Sequence, residues 1–457
     1  MADDNKCSYT LVFKVIFISL FLSKLSILIF LQYPSPVADS SFFLSVSKFH
    51  CKDGIFRTPI FPLEEIGALY LWHSIMQPLI ISLLSFNCSV QSFYIGLSFL
   101  IISTIFLIFL LKIKSREDKF FWIFSMIVFA LQAKQGFRNE VISIFIIILV
   151  EYFFLKKKYL FVLPLVFLAW SQPTVFLIEI IFIILRLDND NIKIFLEKIY
   201  KIILIITVTN IAIGYLYPFS IYDHINFLIK NAQYLNTKIP SDIFTYYIRS
   251  DFFPLFGFAF VIVYGFLIYL KKRFLLLCFP IYYFGLRFPE TSYNLVPLYI
   301  SLIYYINNTL WNKLDKKTKP LLNVFNYYLL IVFFVAAVGV FQGIARDIFS
   351  KINYNASPES IQKIYKDLIL QDKEICKVPD FFTLFLNFNE FEKNFHPTKK
   401  CNNQKQNIVN IYPVNGYDEG KLIGKNCKIS HTKKTSSLLN NIFKSDSGYA
   451  VYICLKN

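Results

Sequence analysis

Charge is scarce in this chain. Asp, Glu, Lys and Arg make up 17% of its 457 residues, against about 25% in an ordinary soluble domain. Acids are scarcer than bases, 30 against 47, which leaves a formal charge of +17. Glycine-rich phosphate loops are missing, as are HExxH and GxSxG patterns. Those absences exclude cytosolic ATP-driven chemistry and the common hydrolase sites as first readings. No multi-carboxylate cluster calls for a metal, and no cofactor is expected. No internal repeat is detectable. A cleavable signal peptide is not expected either. The first apolar run carries Lys14 and Lys24 and has no small-residue cleavage site at its end, so it reads as a retained helix.

What the chain has is apolar length. Hydrophobic residues make up 56% and aromatic ones 19%, gathered in runs such as Tyr9–Leu31, Ser92–Leu111 and Val324–Val340. Each is near the roughly 20 residues that cross about 30 Å of hydrocarbon. A helix satisfies its own backbone polar groups, so a bilayer accepts such runs where a soluble core cannot hide them all. The positive charge then reads as topology, because cytoplasmic loops collect Lys and Arg. A nucleic-acid partner is not expected.

Five basic clusters punctuate the runs: Lys112/Lys114/Arg116/Lys119, Lys156–Lys158, Arg186/Lys193/Lys198/Lys201, Lys271–Arg273 and Lys313/Lys316/Lys317/Lys319. Holding all of them in the cytoplasm predicts helices over 9–32, 91–112, 119–133 and 140–155, then a hairpin over 159–186 broken at Ser171-Gln172-Pro173. Further helices follow over 201–217, 253–270, on either side of the turn Arg287–Glu290, and over 324–343. Residues 74–88 are apolar but interrupted and read as shallow or re-entrant. The expected fold is an all-α polytopic membrane protein of about eleven spans, followed by a small extracytoplasmic α/β domain. The boundary falls between 1–343 and 344–457, with the N-terminus cytoplasmic. In the tail, Cys376, Cys401, Cys427 and Cys454 allow up to two disulfides in three pairings. No CxxC pair there suggests zinc.

The first outer loop, 33–73, is the most informative stretch. It opens with Asp39-Ser40-Ser41-Phe42-Phe43. An amphipathic interfacial helix is predicted over 40–50, then a turn at Asp53-Gly54, and Trp72-His73 leads into Gln77-Pro78-Leu79. With the Arg138-Asn139-Glu140 turn, the break at Gln172-Pro173 and a soluble tail, this arrangement resembles the GT-C superfamily of membrane glycosyltransferases. It is most similar to bacterial relatives of dolichyl-phosphate-mannose protein mannosyltransferases. The resemblance covers most of residues 9–343 and not the tail.

The resemblance implies sugar transfer from a polyprenyl-phosphate donor to a glycan, lipid or protein acceptor on the outer face of a membrane, with inversion. The bacterial inner membrane is the implied location. Asp39 would be the general base. Many relatives carry two adjacent acids where this chain has Asp39-Ser40, so a second carboxylate would come from Asp53, Glu64 or Glu65. Outer-face cations suited to the lipid phosphate are Lys134, Arg138, Arg287 and Arg249, and His73 is a candidate substrate contact. Each also has a bland reading. Asp39 would be a solvated helix cap, Arg138 a local partner of Glu140, His73 an interfacial packing residue, and the intramembrane Glu179 a protonated helix–helix link. A lipid-linked oligosaccharide flippase, a polysaccharide polymerase and a membrane scaffold are the competing functions.

Overall fold

The computed structural model describes residues 2–32, 39–57, 75–111, 118–155, 159–172, 192–216 and 319–354. It also describes single helical positions between 175 and 183 and between 300 and 304, and the backbone of four C-terminal strands. The expected helices over 253–270 and around Arg287 lie outside these residues.

Helix α1 (Ala2–Ser26) runs on through a π-helical turn, Ile27–Leu31. It stops at Gln32, which takes a left-handed conformation (φ 52°) and returns its N–H to Ile27 O. α2 is Asp39–Asp53, and α3 is the short Met76–Leu83. α4, Val90–Leu110, is capped by Ser89, whose hydroxyl accepts from Ser92 N. α5 (Asp118–Gln135) and α6 (Asn139–Leu155) form the predicted hairpin. α7 is Val162–Ala169, α8 is Ile192–Leu216 and α9 is Lys319–Tyr354.

Three segments are long and apolar enough to cross a bilayer: Thr10–Leu31, Val90–Leu110 and Asn326–Ile348. Each carries a stripe of large exposed apolar side chains at helical spacing. On α1 these are Leu11, Val15, Ile18 and Leu22; on α4, Phe99, Ile102, Phe106 and Phe109; on α9, Tyr327, Ile331, Phe334, Val338 and Phe341. Water would penalise such stripes, and lipid accepts them. The protein is a helical membrane protein.

Contact order fixes the relative directions of the helices. Phe13 packs on Phe333, and Lys24 pairs with Asp347, so α1 and α9 run the same way. Phe17 meets Trp122, and Phe21 meets Phe129, so α5 runs with them. Against α5, α4 runs in reverse: Phe109 meets Phe121, while Thr104 meets Gln132. α7 climbs back along α6. Phe161 meets Phe154 at one end, and Ser171 and Gln172 meet Ser143 and Glu140 at the other. The chain then descends, since Glu179 shares Ser301 with Glu151, three turns down α6 from Glu140. Ser171 and Gln172, at the predicted break, therefore lie beside the α5–α6 turn.

Three expectations change. The helix predicted over 40–50 is not a half-exposed surface helix, because Phe43 through Phe49 are all buried. It packs on α3, and Cys51 is disulfide-bonded to Cys88. The helix predicted from 201 begins at Ile192. Among its basic residues Lys201 is exposed and pairs with Glu197 at 2.6 Å. The helix predicted to end at 343 runs to Tyr354, so the 344 boundary falls inside α9. No proline interrupts it before Pro358, and Asp347, which would otherwise oppose burial, is paired with Lys24.

Strands β1 (Glu374–Lys377), β2 (Asn407–Pro413), β3 (Cys427–Thr432) and β4 (Tyr449–Leu455) form one sheet in the order β1-β2-β4-β3. β1 and β2 pair parallel, and the other pairs are antiparallel. The register sets Cys427 opposite Cys454.

Candidate functional site

The α5–α6 turn gathers the functional candidates. Gly136 in this turn has φ +61°, a conformation glycine adopts without strain, and a Cβ there would stand 3.2 Å from Ser40 Oγ. The first turn of α2 thus lies against it, which brings the backbone of Asp39 to the same place as Arg138. The Asp39 carboxylate itself is not among the described side chains.

Arg138 Nε donates to Glu140 Oε2 at 3.2 Å. Gln172 Nε2 donates to Glu140 Oε1, also at 3.2 Å. Glu140 is only 3% exposed, so both donors and its place in the first turn of α6 offset the cost of burying its charge. Its effect is to hold the guanidinium in one orientation. The local-pair reading of Arg138 is therefore observed. Lys134, in the last turn of α5, is exposed beside it.

α3 and α7 close the cluster. Gln77 Nε2 donates to Phe137 O at 3.1 Å, Met76 N donates to Trp170 O at 3.3 Å, and the Ser143 and Ser171 hydroxyls are 2.7 Å apart.

Asp53 is exposed at the other end of α2, about 21 Å along the helix from Asp39. It does not stand next to Asp39. Glu64, Glu65, His73, Arg249 and Arg287 lie outside the described residues.

The loop's far end holds a residue the sequence reading passed over. His50 Nδ1 lies 2.7 Å from Ser82 Oγ, and that hydroxyl donates to Leu79 O. Ser82 must then accept from His50, which puts the neutral ring's proton on Nδ1. The ring stacks on Phe56 at 4.0 Å, and burial lowers its pKa. Next to it, the Cys51–Cys88 disulfide ties the end of α2 to the start of α4 across 37 residues of chain.

Within the membrane region, Ser301 Oγ stands 3.1 Å from Glu151 and 2.8 Å from Glu179, with all three residues fully buried. Glu151 and Ser301 carried no local signal, since each acquires meaning only from the other two.

No protein-family model matches the chain, and no curated protein matches it.

Proposed function

We propose that this protein is a GT-C-like membrane glycosyltransferase. It would move a sugar from a polyprenyl-phosphate donor to an acceptor on the extracytoplasmic face. The observation that carries the reading is the seating of the first turn of α2 against the turn that holds Arg138. A carboxylate at position 39 and a fixed guanidinium at position 138 are what inverting transfer from a lipid phosphate asks for. Asp39 takes the proton of the acceptor hydroxyl, and the hydroxyl's oxygen forms the new bond to the anomeric carbon. The bond from that carbon to the phosphate oxygen breaks, and the electron pair leaves on the lipid phosphate, which Arg138 and Lys134 stabilise.

Sidedness supports the reading. The outer loop and the outgoing end of α9 share one end of the bundle, because α1 and α9 run the same way. The Cys51–Cys88 disulfide favours an oxidising compartment for that end. Residues beyond α9, with their sheet, would then form the extracytoplasmic domain. The location proposed with it, on the resemblance alone, is a bacterial inner membrane.

A flippase for lipid-linked oligosaccharides is the second reading, favoured by the buried Glu151–Ser301–Glu179 group, since intramembrane acids often mark transport paths. Transfer by the purified protein from a polyprenyl-phosphate sugar, wild type against Asp39→Asn, separates the two. The enzyme reading expects a loss of about 100-fold or more, the usual scale for a general base. Unchanged transfer removes Asp39 from the mechanism. No transfer with any donor, together with lipid-linked glycan translocation in vesicles, selects the flippase.

A further inference from the structure

Three carboxamides around the α5–α6 turn share one condition. Gln77 commits its Nε2 to Phe137 O, and Gln132 commits its own to Thr104 Oγ1 and Val141 O. Gln77 Oε1, Gln132 Oε1 and Asn139 Oδ1 are buried and meet no donor among the described residues. The residues themselves are 0%, 0% and 4% exposed. Turning the Gln77 amide over would set its oxygen against the Phe137 oxygen, so the acceptor stays where it is. Native interiors seldom leave such groups unmet, and one that persists calls for a partner such as a water, an ion or a ligand. Here Asn139 is next to Arg138 in the chain, and Gln77 is bonded to Phe137 on its other side.

The chemistry of the acceptors limits which ligand suits them. Amide oxygens repel an anion, so the lipid phosphate is not what they take. Glu140 already holds Arg138 and Gln172, so the group is not short of positive charge. What suits neutral, fixed acceptors is a neutral molecule with several hydroxyl donors. Resting on the glycosyltransferase reading, we propose that Gln77 and Asn139 form the subsite for the sugar ring of the donor, accepting hydrogen bonds from its hydroxyls while Arg138 takes the phosphate. Gln132 extends the same acceptor set one helical turn deeper. The division makes these residues determinants of which sugar is accepted, separate from the residues that move the proton and hold the leaving group.

The test is equilibrium binding to the full-length protein in nanodiscs. The probes are short-chain polyprenyl phosphates carrying mannose, glucose, galactose or arabinose, beside the bare polyprenyl phosphate. Wild type should bind at least one sugar-bearing lipid more tightly than the bare phosphate. Gln77→Met and Asn139→Leu should each cut that preference roughly five- to tenfold, one hydrogen bond's worth, and leave affinity for the bare phosphate unchanged. Gln77→Met also strips Phe137 O of its donor, so Asn139→Leu carries the test if the first variant does not fold. An unchanged preference in a folded variant overturns the subsite and leaves the glycosyltransferase reading standing. A wild type that prefers no sugar-bearing lipid overturns both. A thermal midpoint raised by sodium or calcium in wild type, and not in the variants, overturns the sugar subsite in favour of a cation.

Discussion

At the scale of single residues, His50 gives the most direct handle. Its Nδ1 proton is engaged by Ser82 and its ring lies on Phe56, so burial favours the neutral form. A base whose folded-state pKa is depressed binds fewer protons folded than unfolded, so stability rises with pH across the gap. The contribution is intact above the ordinary imidazole value of about 6.5. It declines as the pH falls below that value and levels off beneath the lowered one. Thermal midpoints of the purified protein between pH 8 and pH 5 should therefore fall on the acid side, and His50→Asn should flatten that part of the curve. A slope unchanged by the substitution assigns it to other groups. Nothing local in the sequence marks this histidine, because its partner is Ser82, 32 residues away. Gln77 is similar: it stands out only as part of an aromatic-proline segment until Phe137, 60 residues on, accepts its proton. Arg138 and Glu140 were legible because they are two residues apart in a short turn.

Elements were read best where they are continuous and apolar. α4 begins at Val90 and ends at Leu110, against a predicted 91–112, because an uninterrupted run and a serine cap leave few alternatives. Burial of α2 was not legible, because what covers it comes from α3 and from a cysteine bridge to residue 88. That bridge invites its own experiment. In the chain-entropy account, closing a loop of this length is worth about 2–4 kcal/mol. Cys51→Ser/Cys88→Ser should lower stability by that order, seen as a lower thermal midpoint, and a reductant should do the same to wild type. Neither thiol of the unreduced protein should take up a membrane-impermeant maleimide. Ready labelling without reductant means that the bridge is not formed in the native protein.

At the scale of the whole molecule, the parallel course of α1, α5 and α9 is set by contacts between residues hundreds of positions apart, which is why composition alone supplied spans but not their arrangement. Basic clusters supplied an expected parity, and most of their residues lie outside the described ones. One buried pair, Lys24 with Asp347, closes this arrangement, with Arg346 also 3.7 Å from the carboxylate. Breaking a buried pair leaves a lone charge inside, at a typical cost of 3–5 kcal/mol, roughly, whereas replacing both members is often near neutral. Asp347→Leu alone, which strands the Lys24 ammonium, should therefore unfold at clearly lower denaturant in detergent, and Lys24→Met/Asp347→Leu should recover most of the loss. A double variant as weak as the single one would sink this account of the pair.

The same pair sets a schedule for biosynthesis. Its members are 323 residues apart, and a ribosome covers that distance in about 15–65 s. For that interval the first helix sits in or beside the bilayer with an ammonium group that has no carboxylate to meet. Lipid headgroups reached by snorkelling are one shelter open to it until α9 arrives.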